Sequence, residues 1–112
     1  MKEFLFLFRR DFQTANVQPT PNELKTHLEH WQVWFDELSK QGILARPIQR
    51  WDGAGKIIQR GKSATNGPFA EIKESIGGMI IIKAIDYEAA EKIAQNCPIL
   101  ELDGSVEIRM GF

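Results

Sequence analysis

Two short runs of this chain carry apolar side chains at every position, Phe4-Leu5-Phe6-Leu7-Phe8 and Met79-Ile80-Ile81-Ile82. Runs this brief and this rich in aromatic and β-branched residues read as strands, whose successive side chains alternate between faces. Phe4, Phe6 and Phe8 therefore share one face and Leu5 and Leu7 the other, so both faces of their sheet need cover. Burying one such side chain is worth about 1.5–3 kcal/mol, so leaving several in water forfeits an amount comparable with the ~5–15 kcal/mol stability of a whole domain. Helices can cover one face. The sequence predicts that a second copy of the chain covers the other, sheet against sheet about a two-fold axis.

The remaining elements follow from local chemistry. Thr20-Pro21-Asn22-Glu23 combines a capping-box pair with a proline at the first helical position, which starts a helix. Leu24, Leu28, Trp31, Phe35 and Leu38 recur along it as one apolar stripe, and Gly42 closes it. Residues 43–51 and 56–60 read as two strands joined by Asp52-Gly53-Ala54-Gly55, with Pro47 marking an edge. Asp86 caps a second helix whose packing face is Ala89, Ala90, Ile93, Ala94 and Cys97, and Pro98 stops it. The last strand sets Val106, Ile108 and Met110 on one side and Glu107 and Arg109 on the other. The order strand, helix, two strands, strand, helix, strand matches an α+β, ferredoxin-like sheet with two helices on one face and an extra hairpin strand.

With 112 residues, 43% of them hydrophobic, the chain suits a single domain spanning 1–112. A net charge of −1 lacks the electrostatic footprint of a nucleic-acid binder. The single cysteine, Cys97, cannot form an intramolecular disulfide, which favours a reducing, cytoplasmic setting. The apolar segment Phe4 to Phe8 is shorter than a signal-peptide core, and no stretch is long enough to span a bilayer. Gly55 to Ser63 looks like a phosphate loop, but its glycines are one residue too far apart and no helix follows Ser63.

The most distinctive stretch is Asn66-Gly67-Pro68-Phe69-Ala70-Glu71-Ile72-Lys73-Glu74, followed by Gly77-Gly78 and the isoleucine run. A rigid Gly-Pro turn, a charged cluster and a Gly-Gly step into a buried strand form an unusual order of constraints. This order resembles the signature of the YCII-related family, whose members usually read Asp-Gly-Pro-Phe at the turn; Asn66 stands here in place of that aspartate. The resemblance implies a dimeric α+β barrel with a cleft in each subunit, and a histidine of the first helix as candidate acid or base. His30 or His27 is the position-compatible residue.

At about 100° per residue, Glu23, His27, His30 and Trp34 share one flank of the first helix, where they line a pocket or border the core. Within Glu23, His27 and His30 an i, i+3 or i+4 pair could bind a metal, but no further strong ligand, such as a thiolate or another histidine, is visible elsewhere, and the expectation is no metal and no cofactor. Glu71, Lys73 and Glu74 belong to the family signature and, with Arg109, form either a substrate-binding group reaching the cleft or a structural charge network. Asn66 can orient a substrate but cannot act as a general base at neutral pH. Arg46, Arg50, Lys56, Arg60 and Lys62 crowd the hairpin as an anion-attracting face or an aggregation-resistant edge. Two functions follow: a small cytoplasmic enzyme transferring protons on a compact, anionic or aromatic metabolite, or a non-catalytic dimeric module that binds a ligand or protein. The expected partners are a second copy and a small molecule, with no nucleic acid and no membrane.

Overall fold

The computed structural model describes residues 1–11, 20–46, 55–67 and 74–112. Its elements are β1 (Lys2–Asp11), α1 (Pro21–Lys40), β2 (Gly55–Ile57), β3 (Thr65–Gly67), β4 (Glu74–Ala84), α2 (Tyr87–Ala94), a 3₁₀ helix (Pro98–Leu102) and β5 (Ser105–Met110). β1 lies centrally in an antiparallel sheet of order β4-β1-β5. Beyond β4, Leu44 bridges to Ile82, with Ala45 N–H donating to Ile81 O and Lys83 N–H to Ile43 O. Counting that segment, the spatial order is Leu44 segment, β4, β1, β5, an α+β arrangement of ferredoxin-like type.

The caps form as the sequence dictates. Glu23 N–H donates to Thr20 Oγ1 at the start of α1, and Ala89 N–H donates to Asp86 Oδ1 at the start of α2. Gly42 takes φ 69°, and Ile43 N–H reaches back to Leu38 O, closing α1 with a Schellman turn. α2 ends at Ala94; Cys97 and Pro98 lie past it and begin the 3₁₀ helix rather than merely stopping α2. The Gly77-Gly78 step carries a β-bulge, because Phe8 faces Gly78 while Arg9 faces Ile76.

Both helices pack on the sheet face that carries Phe4, Phe6 and Phe8. Those phenylalanines join Trp34 and Leu38 of α1, Ile80 and Ile82 of β4, and Ala90 and Ala94 of α2 in one buried cluster. Trp31 and Trp34 meet edge-on, Phe35 tilts against both, and Phe8 meets both tryptophans edge-on. The core-facing line of α1 is rotated from the expected stripe: His27, Trp34 and Leu38 are buried, whereas Leu24 and Leu28 are exposed. The helix leans its histidine flank onto the 3₁₀ helix, a contact the heptad-like spacing of leucines does not encode.

Two strand expectations change. The segment at Leu44 pairs with β4, and the strand expected over 56–60 shortens to β2 and pairs with β3, Lys56 opposite Asn66. Arg60 and Lys62 fall in the connecting turn, where Gly61 has φ 75°, so they do not extend the β2 face; Arg50 and the turn 52–54 lie outside the described residues. On the second face of the main sheet Leu7 is 7% exposed and Leu5, Met79 and Ile81 are part-buried.

Candidate functional site

The site grows from one flank of α1. Its positions 27, 30, 31 and 34 turn toward the 3₁₀ helix and α2, and the 3₁₀ helix presents Glu101 to them. Glu101 reaches that place through tight chain closure. Asp103 adopts the left-handed conformation at φ 57°, Gly104 N–H donates to Ile99 O, and the Gly104 α-carbon sits against the Arg9 and Ile99 carbonyls. A Cβ at that position would lie 2.7 Å from Arg9 O and 2.8 Å from Ile99 O, inside van der Waals contact.

Glu101 bridges both histidines. Its Oε2 is 2.8 Å from His27 Nδ1 and its Oε1 is 2.7 Å from His30 Nδ1. The Trp31 indole N–H, a donor only, points at His27 Nε2 from 2.8 Å. These bonds set each proton in turn. His27 Nε2 accepts from Trp31, so Nδ1 carries the hydrogen and donates to Glu101. Glu101 accepts a second hydrogen from His30 Nδ1, which leaves the His30 Nε2 lone pair facing outward. His27 is 7% exposed and has both ring nitrogens engaged, whereas the His30 side chain is 50% exposed.

Partial desolvation pushes the Glu101 carboxyl up, but hydrogen bonds from His27 and His30, aided by their positive charge when protonated, outweigh it and hold the group below its ordinary range. The carboxylate thus stays ionised beside the two rings, where it can orient His30 and stabilise an imidazolium.

His30 and Glu101 stand between two hollows. The larger, about 660 Å³, runs between α1 and α2 over Trp34, with Glu37 on one rim and Lys92 and Asn96 on the other. The smaller, about 360 Å³, opens toward Asn22 and Glu23. Glu23 itself serves the N-terminal cap of α1, accepting from the Thr20 hydroxyl. Among the described residues no group of three or more His, Cys, Asp or Glu side chains is arranged to hold a metal.

The structure brings together His27, His30 and Trp34 of the expected residues. Arg109 is placed elsewhere: it pairs with Leu5 across β1, on the face opposite Phe4 and Phe6, and bonds Glu107, which also binds Arg9 Nε at 3.2 Å. Alternation along β5 sends it away from the helices. Asn66 lies in β3 and Glu74 opens β4 opposite Asp11, while Glu71 and Lys73 fall outside the described residues. Glu101 escaped the sequence reading, because an acid three residues after Pro98 carries no local signal.

Cys97 is not part of the site. It is buried, and burial pushes its thiol up to about 12, against a hydrogen bond from the Ile99 backbone. No helix of the described residues is long and apolar enough to cross a membrane.

No curated protein matches the sequence. A family model for the YCII-related domain matches residues 14–110, a span that contains α1, the 3₁₀ helix with Glu101 and β5, so the chain belongs to the YCII-related family.

Proposed function

We propose that the chain is a small cytoplasmic enzyme that moves a proton on a compact, anionic or aromatic metabolite held in the cleft between α1 and α2. The observation that carries this reading is the Glu101 carboxylate accepting hydrogen bonds from both His27 and His30. His30 Nε2 is the base: it takes a proton from a C–H or O–H of the substrate, and Glu101 steadies the imidazolium that forms. The same nitrogen returns the proton to a second substrate atom, so the reaction is isomerase- or lyase-like and needs no bound cofactor. His27, locked between Trp31 and Glu101, positions the carboxylate, and Trp34 walls the cleft. The functional unit is a homodimer.

A thermal-shift screen of small carboxylates and phenols, followed by proton NMR of each hit in deuterium oxide, tests this. The wild-type protein exchanges a substrate proton for deuterium and His30→Ala does not; equal exchange in both removes His30 from the chemistry. A second reading, a non-catalytic ligand- or protein-binding module, is favoured by Asn66, which lacks the carboxylate usual at that turn. Its signature is a binding shift with no deuterium incorporation.

A further inference from the structure

The charges around the larger cleft limit what His30 can act on. Among the described residues that line it, Lys92 is the one ammonium or guanidinium, set against the carboxylates Glu37 and Glu101. Glu101 is already engaged by His27 and His30. Lys92 is exposed in the last turn of α2, with Glu88 four residues before it and Asn96 four after. Within the described residues no ion pair or side-chain hydrogen bond takes up Lys92, Glu37 or Asn96, so the ammonium is not tied to Glu88. The floor between the two helices is apolar, formed by Trp34 and Leu38 of α1 and Ile93 of α2.

An imidazole alone is a weak base toward a C–H bond. Proton removal from carbon requires that the electron pair left behind reach an oxygen whose new charge a fixed donor meets. With one cation in the cleft, the carboxylate of an anionic substrate and the oxygen that receives the electron pair have to share it. An ammonium donates three hydrogens, and both oxygens come within its reach when carboxylate and carbonyl stand on adjacent carbons.

We propose that the cleft takes a short 2-oxo monocarboxylic acid, with its carboxylate and carbonyl oxygens on Lys92 Nζ, its C3 hydrogen toward His30 Nε2 and its alkyl tail over Trp34 and Ile93. Asn96, on the same side of the helix as Lys92, donates its amide to the carboxylate. The assignment rests on the proton-transfer reading above and narrows its substrate. The C3–H bond breaks toward His30, its electron pair forms the C2–C3 double bond, and the carbonyl π pair moves onto the oxygen facing Lys92. His30 then returns the proton to that oxygen, giving the enol, or to C3. Nothing is oxidised or reduced. Glu37 on the opposite rim sets the length, because a second carboxylate at the far end of the ligand meets a like charge and diacids are disfavoured.

Titration of the full chain with 2-oxobutanoate, followed by proton–nitrogen NMR, is the first measurement. Saturable shifts centre on His30, Lys92 and Asn96, with affinity reduced about tenfold or more in Lys92→Met and kept within about threefold in Lys92→Arg. The diacid 2-oxoglutarate binds more weakly than 2-oxobutanoate, and Glu37→Gln narrows that preference about tenfold. No saturable binding, or binding that Lys92→Met leaves unchanged, overturns the proposal. Proton NMR of 2-oxobutanoate with the protein in deuterium oxide reads the chemistry separately. Lys92-dependent binding without deuterium at C3 removes the proton transfer and upholds the ligand class. Exchange that needs His30 but not Lys92, on a substrate without the 2-oxo acid group, upholds the proton transfer and overturns the ligand class.

Discussion

Glu101 Oε1 lies 2.7 Å from His30 Nδ1, although the two residues are 71 positions apart in the chain. The carboxylate fixes which His30 nitrogen carries the hydrogen and turns the other toward the cleft. Under the proposed chemistry, His30→Ala lowers turnover of a substrate by about 100-fold or more, while changing stability by no more than about 0.5 kcal/mol, because the side chain is half exposed. His27→Ala does the reverse in emphasis: it leaves the Trp31 indole and a Glu101 oxygen without their partner and costs about 1–3 kcal/mol. Steady-state kinetics and urea unfolding separate the two.

The lowered Glu101 pKa makes a signed prediction for acid. A carboxyl depressed in the folded state contributes stability that is complete above its unfolded value, about 4.3, and is lost as pH falls through the folded value. The stability gap between wild type and Glu101→Gln is thus present above about pH 5 and closes on acidification below the ordinary carboxylate range. Carbon-detected NMR of the Glu101 carboxyl in the wild type gives a midpoint below that range, and removing both histidines returns it upward.

Gly104→Ala tests the closure that delivers Glu101. The new methyl meets two backbone carbonyls that cannot step aside, so unfolding free energy drops by about 1–3 kcal/mol. A crystal structure of the variant shows the 3₁₀ helix displaced and the Glu101 to His30 contact lengthened.

At Gly42 the cause is different. Nothing lies within 4 Å of an added Cβ, so the cost of Gly42→Ala comes from the left-handed backbone alone, about 1 kcal/mol. Thr20→Ala at the other end of α1 costs a similar ~1 kcal/mol through the lost cap. Denaturant midpoints of the single and double variants check that the two effects add, since the sites are a full helix apart.

Cys97 resists alkylation in the native state at pH 8, because burial raises its thiol to about 12 and leaves 2% of the residue exposed. Iodoacetamide labelling followed by mass spectrometry reads less than one-tenth of the rate seen in urea. Rapid labelling of the folded protein would contradict the burial.

Much of this molecule is written locally. The threonine, proline and glutamate at 20–23 start α1 and Gly42 ends it, Asp86 starts α2, and alternation sorts Val106 and Ile108 from Glu107 and Arg109. These features depend on side chains acting on backbone within a turn or on period-two geometry, so sequence alone determines them. The flank carrying His27, His30 and Trp34 is legible for the same reason, since helical pitch places them together. What covers that flank is not local. Leu24 and Leu28 match the expected stripe as well as Leu38 does, yet only Leu38 is buried, because the orientation of α1 is decided by contacts with the sheet and the 3₁₀ helix. The bridge from Leu44 to Ile82 of β4 is likewise a contact between segments distant in the chain. Glu101 owes its role to tertiary structure alone: only the close packing at Gly104 against β1 carries an otherwise ordinary acid to two histidines more than seventy residues away.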